Sequence, residues 1–373
     1  MSMTPDCAYR NALKQRIFHF IDNASPHQQS QKQEDEFNRL ALEVFSWQYS
    51  ANKPYQRLCD RRSSPPASIQ HWSQIPAVTT ASFKTIPLFC FETDKACAVF
   101  HTSGTTESTS GKHYFHELGL YESAALKWFQ LCCVEKNNKV PYLVLGPTAK
   151  HFPNSSLGQM FSWIIEAFGT DENLVAFSPR GIDFERTIDF LENHHQKKEP
   201  VFILSTSLAL LEFIEKMPQN RQSFLLTEGS VVLDTGGYKG KKKAINRLEF
   251  QRLIADFFGI QRNMIFNEYG MTEMSSQYYE TKITSDITGH PFKYGPPWVR
   301  TKACDPSSLE ILPDGEIGIL RHFDLANLDS VSMLQTEDLG IVHEKGIELL
   351  GRPLHATHRG CSLLAEEIIT ANE

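Results

Sequence analysis

The chain has 373 residues, 41% hydrophobic and 22% charged, which suits a globular protein with one large core or two domains. A net charge of −7 argues against a dedicated nucleic-acid binder, and the one basic cluster, Lys239 with Lys241-Lys242-Lys243, is short. No apolar run reaches the roughly 18 residues of a membrane span, and Met1 to Lys14 carry no signal-peptide pattern. The eight cysteines form neither a C-x-x-C pair nor a zinc set with nearby histidines, so free thiols in the cytoplasm are expected.

In chain order, apolar residues at helical spacing predict helices over Arg16–Asp22 and Glu34–Tyr49, and Ser63-Ser64-Pro65-Pro66 interrupts this region. From Tyr142 the pattern alternates. Strands are expected at Tyr142–Leu145, Leu174–Phe177, Val201–Leu204, Ser230–Leu233 and just before Tyr269. Helices are expected at Ser155–Phe168, Asp183–Asn193, Ser207–Met217 and up to Phe258. Short apolar strands alternating with helices imply a mostly parallel sheet covered on both faces, with ligands at the carboxyl ends of its strands. Later, Leu309–Leu312, Ile317–Arg321, Leu339–Val342 and Ile347–Leu350 read as strands, with turns at Pro313-Asp314-Gly315 and Glu344-Lys345-Gly346. The expected fold class is therefore α/β, with mostly parallel sheets covered by helices and a β-rich C-terminal subdomain. Its expected parts are a helical region over 1–80, an α/β core over 81–282, the β-rich subdomain over 283–352 and a short tail over 353–373.

Five segments carry chemistry. Thr102, Ser103, Gly104, Thr105 and Thr106 follow the apolar run Ala96–Phe100, and hydroxyls with free N–H groups there can bind phosphate oxygens. The same residues equally fit a surface loop. Asp234-Thr235-Gly236-Gly237 closes a strand, either where backbone approaches a flat ligand or as a tight turn. Tyr269, Gly270, Thr272 and Glu273 place a stacking ring, a turn glycine, a hydroxyl and a carboxylate in one loop, which suits a magnesium–nucleotide site. They also fit a strand–loop–helix junction capped by Thr272. Asp338, in Thr336-Glu337-Asp338-Leu339-Gly340, can accept from ribose hydroxyls or serve as a turn residue before a strand. Gly351-Arg352 and Arg359-Gly360-Cys361-Ser362 close the series, with Cys361 beside positive charge that favours the thiolate.

Taken in order, these segments resemble the adenylate-forming superfamily of acyl- and aryl-CoA ligases, and the R-G-C-S-L ending resembles the LuxE family, the acyl-protein synthetase subunit of the bacterial fatty acid reductase system. The resemblance covers about residues 80 to 373. It implies that ATP and Mg²⁺ convert a long-chain fatty acid to acyl-AMP. The acyl group then passes to Cys361 and on to a reductase partner of LuxC type, which uses NADPH to release an aldehyde. By the same resemblance the Thr102–Thr106 loop holds the β- and γ-phosphates and Gly236 and Gly237 line the adenine. Tyr269 stacks on the adenine, with Gly270 in the nucleotide-binding turn. Thr272 bonds the α-phosphate, Glu273 holds Mg²⁺, Asp338 binds the ribose, Arg352 sits near ribose or phosphates, and Cys361 accepts the acyl group.

Some residues depart from the superfamily pattern. Glu107 stands where a glycine is usual, Lys112 lies five residues after it instead of three, and His355 stands where a hinge aspartate is common. The superfamily's large C-terminal domain with its catalytic lysine has no counterpart, so a short tail bearing Cys361 is expected to take over its movement. Two other outcomes stay open, a ligase that hands its acyl group to coenzyme A or a carrier protein, and a nucleotide-binding subunit without catalysis. A homo-oligomer within a reductase complex is also left open.

Overall fold

The computed structural model describes residues 5–25, 30–102, 110–134, 139–217, 223–236, 245–280, 292–344 and 346–352. They form two compact units. The first comprises Met1–Trp128, Met271–Gln277 and Tyr294–Glu373, and the second Phe129–Gly270 and Tyr278–Lys293.

The first unit begins with helices α1 (Pro5–Asp22), α2 (Gln31–Ala51) and α3 (Lys53–Arg61). Ser30 starts α2 by accepting the Gln33 N–H, satisfying a donor that the helix itself cannot. Asn52 joins two helices. Its own N–H closes α2 on Gln48, and its side chain caps α3 by accepting from Tyr55. Helix α2 turns Phe37, Leu40, Val44 and Phe45 into the core. Strand β1 (Val78–Thr79) follows, then β2 (Ala98–His101) paired antiparallel with β3 (Lys112–Phe115), then α4 (Gly119–Cys133), whose residues from Phe129 on belong to the second unit.

The second unit holds β4 (Tyr142–Leu145), α5 (Ser156–Phe168), β5 (Leu174–Val175), β6 (Phe177–Ser178), β7 (Gly181–Ile182) and α6 (Phe184–Lys197). It continues with β8 (Phe202–Thr206), α7 (Ser207–Glu215), β9 (Val231–Thr235), α8 (Arg247–Phe258), β10 (Ile265–Tyr269) and β11 (Tyr278–Glu280). The main sheet runs β11-β10-β9-β8-β4-β5, parallel throughout except for the β10–β11 pair. Every residue of β4 and β9 is buried, the unalternating pattern of a sheet covered on both faces. The predicted β/α alternation is borne out, with Ser155, Asp183, Thr206 and Asn246 each accepting an N–H at a helix start.

The first unit ends with β12 (Val299–Cys304), β13 (Ile317–Asp324), β14 (Met333–His343) and β15 (Gly346–Gly351). In this sheet β14 is central. Its first half pairs parallel with β1 and its second half antiparallel with β15. Two expectations change here. Leu309–Leu312 is not a strand but touches the sheet by one bridge, Cys304 to Ile311, because the Asp305 carboxylate binds the N–H groups of Ser307 and Ser308 and turns the chain away. Asp338 lies inside β14, next to a bulge between Leu339 and Gly340, and not ahead of the strand. Among the described residues no helix is long and apolar enough to cross a membrane.

Candidate active site

The first unit gathers much of the predicted machinery. Thr102 follows β2, and its hydroxyl accepts the Gly111 N–H at 2.7 Å while its own N–H donates to the Gly111 carbonyl at 2.9 Å. Ser103, Gly104, Thr105 and Thr106 lie outside the described residues. Lys112 is the exposed first residue of β3, paired in register with His101.

The hairpin made by β2 and β3 also holds Thr272. The Thr272 hydroxyl donates to the His101 carbonyl at 3.4 Å, and His113 donates from Nδ1 to the Thr272 carbonyl at 2.7 Å. A carbonyl can only accept, so this bond fixes the tautomer. Burial holds His113 neutral, with its pKa lowered to about 4. No helix follows Thr272. The chain turns and enters β11, so Thr272 is a loop residue and not a helix cap.

Glu273 is buried, and that burial pushes its carboxyl up to about 7. Its own backbone N–H, Arg352 and Lys84 oppose this rise, and Asp338 adds to it. Arg352 donates from Nε to the Asp338 carboxylate at 2.6 Å. Glu273, Asp338 and Arg352, far apart in sequence, therefore share one electrostatic neighbourhood.

Just after Glu273 the chain is clamped. The Asn327 amide donates to the Glu273 carbonyl at 2.7 Å and accepts from the Ser275 hydroxyl at 2.6 Å. Asp324, fully buried, accepts from the Ser275 N–H at 2.9 Å, the Ser276 hydroxyl at 2.8 Å and the Ala326 N–H at 2.9 Å. The sequence reading missed Asp324, Asn327 and His113. His113 sits in β3, Asp324 ends β13 and Asn327 follows it outside any strand, and no local period marks such positions.

The second unit holds the other predicted residues. At the end of β9, Gly236 has φ +87°, a left-handed conformation that favours glycine. Open space lies where its side chain would be, so backbone conformation and not close packing accounts for it. Tyr269 ends β10, with its ring 5.8 Å from that of Tyr278. Gly237 and Cys361 lie outside the described residues.

Beneath these strand ends is a buried charge network. Asp234 accepts from Arg247 at 2.8 Å, from the Ser207 hydroxyl at 2.6 Å and from the Asn267 amide at 3.0 Å. Arg247 also donates to Glu280 at 3.1 Å. Lys293 donates to the Asn267 side-chain oxygen, and the Thr235 hydroxyl donates to Glu268. Burial raises Glu268 to about 7 and lowers Lys293 to about 8. None of Arg247, Glu268, Glu280 or Lys293 was expected from sequence to take part.

Apolar residues of α7 and aromatic residues near β12 are core. Leu210, Leu211 and Phe213 belong to the second unit's central cluster. In the first unit Trp298 is buried and donates to the Ser276 hydroxyl, and Tyr294 stacks on Trp128 at 5.6 Å.

Comparison with known proteins adds the fold and then the family. The structure is similar to 2-hydroxyisobutyryl-CoA ligase solved with 2-HIB-AMP and CoA, at TM-score 0.64 and 13% identity, covering 87% of this chain and 69% of that one. The fold is that of adenylate-forming ligases. Against ATP-bound MatB from Rhodopseudomonas palustris the TM-score is 0.48 at 15% identity, over 70% of this chain, which spans about half (49%) of that protein. The family model for acyl-protein synthetase, LuxE, matches residues 10–370, and the chain belongs to that family of ligases. Two relatives carry the name long-chain-fatty-acid–luciferin-component ligase. The one from Aliivibrio fischeri is 22% identical over 92% of this chain and 91% of its own. The one from Vibrio harveyi is 23% identical over 96% and 95%.

Proposed function

We propose that this protein activates a long-chain fatty acid with ATP and receives the acyl group on its own Cys361, from which a LuxC-type reductase partner takes it for aldehyde formation. The observation that carries the reading is the gathering of Glu273, Asp338 and Arg352 in one neighbourhood, beside a Thr272 held by His101 and His113. The family membership and the names of the two relatives support the same reaction.

In the first step a carboxylate oxygen of the fatty acid attacks the α-phosphorus of ATP, and pyrophosphate leaves. Negative charge builds on the α-phosphate and on the leaving group. Donors fixed in advance stabilise it without reorganising. The Thr272 hydroxyl is the donor assigned to the α-phosphate, its one proton turning from the His101 carbonyl to the ligand; the loop from Thr102 to Thr106 cradles the β- and γ-phosphates, and Arg352 adds positive charge. Asp338 accepts from the ribose hydroxyls, Gly236 and Gly237 line the adenine, and Tyr269 gives it a stacking face, with Gly270 turning the chain between ring and hydroxyl. In the second step the Cys361 thiolate attacks the acyl carbonyl and AMP leaves, giving a thioester.

Glu273 is the residue to hold Mg²⁺. A carboxyl held near neutral pH by burial, with cations near enough to oppose that shift, is one that a divalent cation would readily ionise. When bound, Mg²⁺ supplies charge neutralisation at the phosphates.

The test is ATP–pyrophosphate exchange driven by a panel of fatty acids. Glu273→Gln keeps the size and removes the charge, and it should lower the exchange rate about 100-fold at saturating ATP. Exchange at the wild-type rate in that variant would remove Glu273 from the metal role.

A further inference from the structure

We propose that Lys293 is a positioning residue for the nucleotide end of the second unit's sheet. By gripping the Asn267 side chain it fixes the roll of β10 and so the face that Tyr269 presents. This rests on the reading of Tyr269 as the adenine platform.

The geometry runs through one amide. The Lys293 ammonium donates to the side-chain oxygen of Asn267 and reaches its backbone carbonyl at 3.5 Å. The Asn267 amide nitrogen donates across to β9, to the Asp234 carbonyl and carboxylate, both at 3.0 Å. Asp234 is the register partner of Asn267, and its carboxylate also accepts from Ser207, the residue that follows β8, and from Arg247. One side chain thus ties the carboxyl ends of three parallel strands, where ligands of such sheets bind.

Successive side chains of a strand point to opposite faces, so Asn267 and Tyr269 share a face of β10. A strand whose Asn267 is held on both sides of the amide cannot roll, and Tyr269, two residues on, keeps its direction. Lys293 itself is 6% exposed and turned onto Asn267. It therefore acts through Asn267 and not on the phosphates.

Charge makes the residue hard to replace. Among the described residues the charged groups that act on Lys293 are Glu280 of β11, Arg247 of α8, Asp234 of β9 and, from the other face of β10, Glu268, all mostly or wholly buried. Without Lys293, Asp234 and Glu280 share the Arg247 guanidinium, Glu268 loses a nearby positive charge, and Asn267 loses the donor on its oxygen. Such a network relaxes by moving its strand ends or by taking up protons.

The experiment uses the full chain and fatty-acid-driven ATP–pyrophosphate exchange. Lys293→Met should raise the KM for ATP about 10-fold or more, with kcat within about threefold and the KM for the fatty acid unchanged. Lys293→Arg, which keeps charge and donor, should return the KM for ATP to within about threefold of wild type. A pH series adds a readout that general loss of packing would not move. Burial lowers Lys293 to about 8, so the wild-type KM for ATP should climb above that pH, while Lys293→Arg stays flat. If Lys293→Met does not fold, this contrast between wild type and Lys293→Arg decides. A fall in kcat at constant KM would instead make Lys293 catalytic. Equal rises in KM for acid and ATP, or identical pH profiles for wild type and Lys293→Arg, would also overturn the inference. Absence of exchange in the wild-type protein overturns the adenylation reading, and the inference with it.

Discussion

The two units bury polar groups in opposite ways. In the first, the fully buried Asp324 is met by neutral donors: two backbone N–H groups and a hydroxyl. Around it stand the uncharged amides of Asn327 and Gln48, the latter bonded to the Asn327 carbonyl at 2.8 Å and the Ser332 hydroxyl at 2.9 Å. In the second, three acids are met by two cations, with hydroxyls and amides filling the gaps. Donors hold a buried charge by direction, and countercharges hold it by proximity. The first arrangement has no countercharge to lose, and its own acid, Asp324, is pushed up to about 6 by burial. The second depends on which of its members are ionised, and Glu268 and Lys293 both titrate within about a unit of neutrality to mild alkali.

The sharpest way to break this comparison is at Asp324. Asp324→Ala leaves two N–H groups and a hydroxyl buried without their acceptor, and should cost about 4 kcal/mol in urea unfolding. A loss below about 1 kcal/mol would mean that Asp324 does not organise the segment after Glu273.

A smaller, pH-dependent effect is expected at Glu268. Its folded pKa, about 7, lies above the ordinary 4.5, so the folded state favours the protonated form. The stability this gives is present at pH 4.5 and below and is lost as pH rises through about 7. Glu268→Gln stays neutral at every pH and keeps an acceptor for Thr235. Its stability relative to wild type should rise by about 3 kcal/mol between those pH values and then level off. A difference that does not change with pH would show that Glu268 is not a buried titrating acid.

Much of the second unit was legible because its elements are long and strongly patterned. The strands at Tyr142, Val201 and Val231 are unbroken apolar runs, and Ser155, Asp183 and Asn246 stand at helix starts as their chemistry directs. The first unit was less legible because its sheet joins distant segments: β1 pairs with β14, a contact that no local pattern announces. That is also why Asp338 looked like a turn residue, since the strand extends well upstream of it through Met333, Leu334, Gln335 and Thr336. At the site, sequence could name Thr272 and Glu273 but not what holds them. His113, Asp324, Asn327 and Lys293 are isolated polar residues whose partners lie far away in the chain, and their roles exist only once the fold brings those partners near.

The central claim is that the acid activated by this site ends on the protein's own thiol. Intact-mass spectrometry of the full chain after incubation with ATP, Mg²⁺ and a long-chain fatty acid tests it directly. The account predicts one acyl adduct, removable by neutral hydroxylamine, that is absent in Cys361→Ser although that variant still exchanges pyrophosphate. An adduct that persists unchanged in Cys361→Ser, or acyl-coenzyme A formed with no adduct at all, would contradict it.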